Sequence, residues 1–107
     1  MTIINTGTLV MLRFPFADGS SYKRRPALVI KDFVDGDILV CRVTSKIYCT
    51  PFDIYLDNWV NFGLKLPSVV RVNKMATLEK NLVESILGTV DEESLSKIKS
   101  IYFSIIK

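Results

Sequence analysis

Three consecutive cations, Lys23, Arg24 and Arg25, close a polar loop and run directly into Pro26 and the apolar run Ala27-Leu28-Val29-Ile30. Pro26 fixes its own φ and disfavours the helical region for the residue before it, so Arg25 is expected on extended backbone. The apolar run behind the proline anchors that geometry in a core. A guanidinium held on a rigid strand edge presents a planar fork suited to a bidentate oxyanion, and a phosphate fits it. A basic triplet in a solvated loop would carry no such implication. The proline and the strand make the difference.

A second cluster, Arg42-Val43-Thr44-Ser45-Lys46, ends an apolar run over residues 38–43. Asp35-Gly36-Asp37 carries the Asp-Gly pair that favours a tight hairpin, so this run is expected to fold back on residues 26–31. Strand alternation then puts Thr44 on the face of Arg42 and Lys46, and the hairpin brings Arg25 and Thr44 to one end. An arginine, a hydroxyl and a flanking lysine would converge there.

Other chemistries are excluded by residue type. The chain has no histidine, which removes imidazole-based triads, paired-histidine ribonuclease chemistry and histidine-ligated metals. Asp32, Asp35 and Asp37 surround a turn, and Glu92 and Glu93 stand at a helix start, so no carboxylate pair has a spacing suited to glycosidase or metal work. Cys41 and Cys49 form no CxxC motif and read as small core-filling side chains rather than a zinc site or a disulfide. No metal and no cofactor are expected.

The elements that must position the cations come next. At 107 residues the chain is one domain, 1–107, with 49% hydrophobic and 23% charged residues, which excludes wholesale disorder. A net charge of +3 favours anionic partners without establishing nucleic-acid binding. No targeting segment and no stretch long enough to span a bilayer are visible, so a cytoplasmic protein without a membrane role is expected. Strands are predicted at residues 8–14, 26–31, 38–43, 52–56 and 68–72, the last continuing past a bend over 74–78, with a short weak one at 86–90. Pro15 ends the first, and a loop over 17–24 follows with Asp18-Gly19-Ser20-Ser21 as its turn. Asp91 is an N-cap for a terminal helix with Leu95, Ile98, Ile101, Tyr102 and Ile105 at helical spacing, while Phe103 and Ile106 widen the apolar stripe. Short strands closed by a terminal helix predict a mainly β, compact barrel-like domain.

The order Gly7, a strand, Phe14-Pro15-Phe16, Asp18-Gly19, Lys23 through Ile30, a strand ending Val43-Thr44-Ser45, Ser68-Val69-Val70-Arg71 through Lys80 and a final helix resembles the MazF/PemK toxins of type II toxin–antitoxin systems. The likeness runs from Gly7 to the final helix. It implies an SH3-like small barrel, a homodimer, and sequence-specific, metal-independent cleavage of single-stranded mRNA, inhibited by a cognate antitoxin. Arg25 and Thr44 match the family's catalytic pair, with part of the proton-accepting duty given to Arg25, although a guanidinium is a poor base near neutral pH. Lys23, Arg24, Ser45 and Lys46, with Ser20 and Ser21 of the turn, are candidate RNA-binding residues. Trp59 and Phe62, expected to be exposed in an irregular stretch, are candidate antitoxin anchors. Many members carry a second arginine before a threonine where this chain has Ala76 before Thr77, and Arg71 or Lys74 could replace it. Two other readings stay open: a non-catalytic SH3-like binding module, and a CcdB-like gyrase-directed toxin on the same fold.

Overall fold

Alternate residues of the strand Thr8–Pro15 (β1) bury to opposite sides: Leu9 joins one apolar cluster, Val10 and Leu12 another. That alternation, repeated along the chain, gives a sheet with two covered faces. The computed structural model describes residues 2–15 and 18–107, so Phe16 and Ala17 of the expected loop lie outside the described residues. The remaining strands are Tyr22–Asp32 (β2), Asp37–Thr44 (β3), Asp53–Tyr55 (β4), Val69–Glu79 (β5) and Val83–Thr89 (β6), followed by the helix Glu92–Ile105 (α1). All pair antiparallel in one sheet, in the order β4-β5-β3-β2-β1-β6.

The first cluster holds Leu9, Leu28, Cys41, Val43, Val70 and Val72 beneath Ile98 of α1. Asp91 caps α1 as expected, its carboxylate accepting the Ser94 N–H at 2.9 Å. The second cluster, Val10, Leu12, Ala27, Val29, Ile38 and Val40, is closed by Ile4 and the single 3₁₀ turn Lys80–Leu82. Phe103 and Ile106 stay exposed, so the sheet covers only part of the helical stripe.

The mainly β architecture with a terminal helix is as expected, and the barrel holds only loosely. Among the described residues β4 and β6 are the sheet's two edges, and no ladder joins them. A loop over residues 58–66 crosses to β6 instead. There Phe62 is buried and Trp59 packs half-buried against the first cluster, so their expected exposure does not hold. Cys41 fills the core, where burial pushes its thiol up to about 12, but Cys49 is exposed rather than core-filling.

Two strand differences matter for the site. β2 begins at Tyr22 rather than Pro26, because Tyr22, Lys23, Arg24 and Arg25 pair with β1 (Pro15↔Tyr22 to Leu12↔Arg25). The β2–β3 ladder reaches only to Ala27, so Pro26 sits past its end, where a missing N–H is tolerated. β5 is one strand with the expected bend inside it: Cys41 faces Met75 while Arg42 faces Arg71, leaving Val72, Asn73 and Lys74 as a bulge. Among the described residues no helix is long and apolar enough to cross a membrane.

Candidate active site

Ala27 faces Arg42 across the β2–β3 ladder. Arg25 lies two residues before Ala27 and Thr44 two residues after Arg42, so antiparallel pairing brings both to one end and one face of the sheet. They line a single pocket of about 280 Å³ together with Arg42 and Ser45. Its far wall is the segment 63–66, and Met11 and Leu87 supply apolar lining.

Thr44 is half-buried, and its Oγ1 accepts the Lys46 N–H at 3.2 Å. An oxygen already accepting one hydrogen bond keeps its own hydrogen free to donate. Arg25 and Arg42 are exposed and have no acidic partner among the described residues. The pocket therefore offers two uncompensated guanidinium groups and hydroxyls at its mouth, an arrangement that binds an anion and can stabilise added negative charge on it.

Strand alternation splits the basic triplet. Lys23 shares the face of Arg25, whereas Arg24 faces the other way. Arg24 donates from Nε to Glu84 at 3.0 Å, which raises its pKa further, and lies 5.0 Å from the centre of the Tyr22 ring. Ser20 and Ser21 line a separate depression with Arg13 and Tyr22, and the Ser20 backbone N–H and hydroxyl both donate to Asp18. Lys46 is directed at the Tyr48 ring, 5.2 Å from its centre. Of the residues singled out in the sequence, the structure thus brings together Arg25, Thr44 and Ser45.

Arg71 and Lys74 differ sharply. Arg71 donates to Asp53 at 3.0 Å, stacks 3.6 Å over Tyr48 and keeps only 12% side-chain exposure, so it braces β4 against β5. Burial raises the Asp53 carboxyl, but hydrogen bonds from Thr50 and Arg71 outweigh it and hold the group low. Lys74 is exposed and lines a second depression with Arg25 and Arg42. The spacing of Arg42 and Thr44 sets the two side by side but gives Arg42 no role, and the pocket wall at 63–66 carries no motif. A glycine at position 63 in an irregular stretch was the available signal for that wall. Among the described residues no three His, Cys, Asp or Glu side chains gather in a group able to hold a metal ion.

The open antiparallel sheet with its terminal helix is a fold shared with solved MazF structures. A MazE–MazF complex from Deinococcus radiodurans superposes with a TM-score of 0.80 at 24% identity, covering 98% of this chain and 97% of that one. MazF alone from the same organism gives 0.75 at 26% identity, covering 99% and 98%. An endoribonuclease in complex with its cognate antitoxin from a mycobacterial species gives 0.71 at 18% identity, covering 96% and 94%. No curated protein sequence matches. The chain belongs to the PemK-like, MazF-like toxins of type II toxin–antitoxin systems, whose family model matches residues 5–101.

Proposed function

We propose that this toxin is a metal-independent endoribonuclease that cuts single-stranded mRNA at short sequence motifs and so inhibits translation. The convergence of Arg25 and Thr44 in one pocket carries this reading. The 2′-oxygen of the nucleotide 5′ to the cut attacks the adjacent phosphorus. The new O2′–P bond forms as the P–O5′ bond breaks; the 2′-hydroxyl loses its proton and the departing 5′-oxygen gains one. The products carry a 2′,3′-cyclic phosphate and a 5′-hydroxyl.

Arg25 stabilises charge on the non-bridging oxygens, where a fixed cation acts most strongly in the transition state. A guanidinium is better suited to that role than to accepting a proton. Thr44 donates to the same phosphate or orients the nucleophile. The active species is a two-fold homodimer, consistent with the apolar area left on α1 and its C-cap residue, where Phe103 is 62% and Ile106 56% exposed. A cognate antitoxin with an acidic, partly apolar tail would cover the cationic pocket and exclude RNA.

The test incubates purified protein with a long single-stranded RNA in the presence of a chelator. Discrete fragments with cyclic phosphate ends, absent with Arg25→Ala, support the enzyme; an all-deoxy strand of the same sequence should bind and survive. Intact RNA that is nevertheless bound would replace the enzyme with a binding module, and efficient cutting of the all-deoxy strand would overturn the mechanism.

A further inference from the structure

Breaking a P–O5′ bond leaves an alkoxide that must take up a proton, and the pocket beside Arg25 and Thr44 holds few groups able to give one. Among the described residues neither a carboxyl nor an imidazole lines it. Its hydroxyls, on Thr44, Ser45 and Ser68, are about as weakly acidic as the alcohol being released. The Ser68 hydroxyl already donates to the Leu66 carbonyl at 2.8 Å. Arg25 and Arg42 are guanidinium groups, which part with a proton only above about 12, whereas an ammonium does so at about 10.4. One lysine lines the pocket among the described residues, Lys65.

Lys65 belongs to the wall at 63–66, which closes the pocket away from the hairpin end that carries Arg25 and Thr44. That wall is tied down on both sides of the lysine. The Leu64 N–H donates to the Trp59 carbonyl at 3.0 Å and Leu64 packs against the first apolar cluster, while Ser68 holds the Leu66 carbonyl. Lys65 itself is exposed and forms no ion pair among the described residues. In a pocket of about 280 Å³ its flexible four-carbon stem reaches a phosphodiester held by Arg25 from the opposite wall. The attacking and leaving oxygens of a phosphoryl displacement stand roughly in line on opposite sides of phosphorus, so two facing walls can serve the two oxygens separately.

Given the ribonuclease reading, we propose that Lys65 is the general acid of the cleavage. As the P–O5′ bond breaks, the Lys65 ammonium passes one proton to O5′, which leaves as the 5′-hydroxyl, and the lysine becomes a neutral amine. The proton of the 2′-hydroxyl goes to solvent, and the exposed amine takes one back from water, so the enzyme ends the cycle as it began.

A cut site mapped on a long RNA supplies a short substrate, prepared in two forms: ordinary, and with sulfur in place of the bridging O5′. A thiol has a pKa of about 8.5, so a thiolate departs without a proton and a general acid does nothing for the second form. Lys65→Ala removes the amine, and Lys65→Arg keeps the charge on a group that holds its proton. Both change an exposed side chain and should leave thermal unfolding unaltered. Each is expected to slow single-turnover cleavage of the ordinary substrate by about 100-fold or more, and to cut the sulfur substrate at close to the wild-type rate. Arg25→Ala should slow both. If Lys65→Ala slows the two substrates equally, or if either variant cuts the ordinary one as wild type does, the general acid falls and the ribonuclease reading stands. If wild type cuts no RNA, both fall.

Discussion

A Cβ placed on Gly63 would lie 2.1 Å from the carbonyl oxygen of Leu87, and Gly63 holds a φ of +84°. Both conditions demand glycine: the left-handed backbone disfavours a side chain, and the contact is with backbone that cannot rotate away. The contact seats residues 58–66 against β6 and gives the pocket beside Arg25 its far wall. Gly63→Ala is therefore expected to lose at least about 1–3 kcal/mol from backbone strain, and more from the clash. Urea unfolding measures the loss, and RNA cleavage should fall with it. A variant as stable as wild type would show that the loop does not depend on this approach.

Arg25→Lys keeps the charge and loses the planar fork, and Thr44→Val loses the hydroxyl at nearly constant shape. Removing one preorganised donor from a developing oxyanion typically costs about 100- to 1,000-fold in turnover. Falls of that order in single-turnover cleavage are expected for both variants, with modest change in affinity for an all-deoxy strand. Near wild-type rates in both would mean the catalytic pair has been misplaced.

The sequence made these two residues legible because the information was local. Pro26 constrained Arg25, Asp35-Gly36-Asp37 fixed the hairpin, and antiparallel pairing did the rest. The helix was legible for the same reason, through Asp91 and a 3.6-residue period. Longer-range relations were not. The division between Arg71 and Lys74 depends on a bulge whose register is set against β3, and one residue more or less would exchange their faces. Trp59 and Phe62 look like loop residues because nothing in their neighbours announces that the loop folds over the core. Cys49 looks like core for the converse reason, since its residue type suggests burial and the turn carrying it stays outside.

Lys23 and Arg24 are adjacent in sequence and opposite in the sheet, which separates their effects. Lys23 shares the face of Arg25, while Arg24 already has a carboxylate partner in Glu84. Lys23→Glu should weaken RNA binding strongly at low salt and progressively less as salt screens the reversed charge. Arg24→Glu should weaken it less, its main effect being the loss of the Glu84 contact. Equal losses measured by titration across a salt series would place both side chains on the RNA path and contradict the alternation.

Asp32 reads from the sequence as turn chemistry, and the structure gives it a wider role. Its carboxylate accepts Lys80 Nζ at 2.6 Å, the Ile4 N–H at 2.9 Å and the Val34 N–H at 2.9 Å, joining the N-terminal segment, the β2–β3 turn and the 3₁₀ turn. The Lys80 hydrogen bond first, then those from Ile4 and Val34, lower its pKa from 3.8 to about 2. Because the folded-state value lies below the unfolded one, this group stabilises the fold fully above about pH 4. That contribution is lost as pH falls from there toward about 2. Asp32→Asn cannot ionise, so it should be less stable than wild type at neutral pH, with the difference shrinking across the same interval as wild-type Asp32 takes up its proton. Urea midpoints measured from neutral pH down to about pH 2 test this, and two curves that stay parallel throughout would remove Asp32 from the acid response.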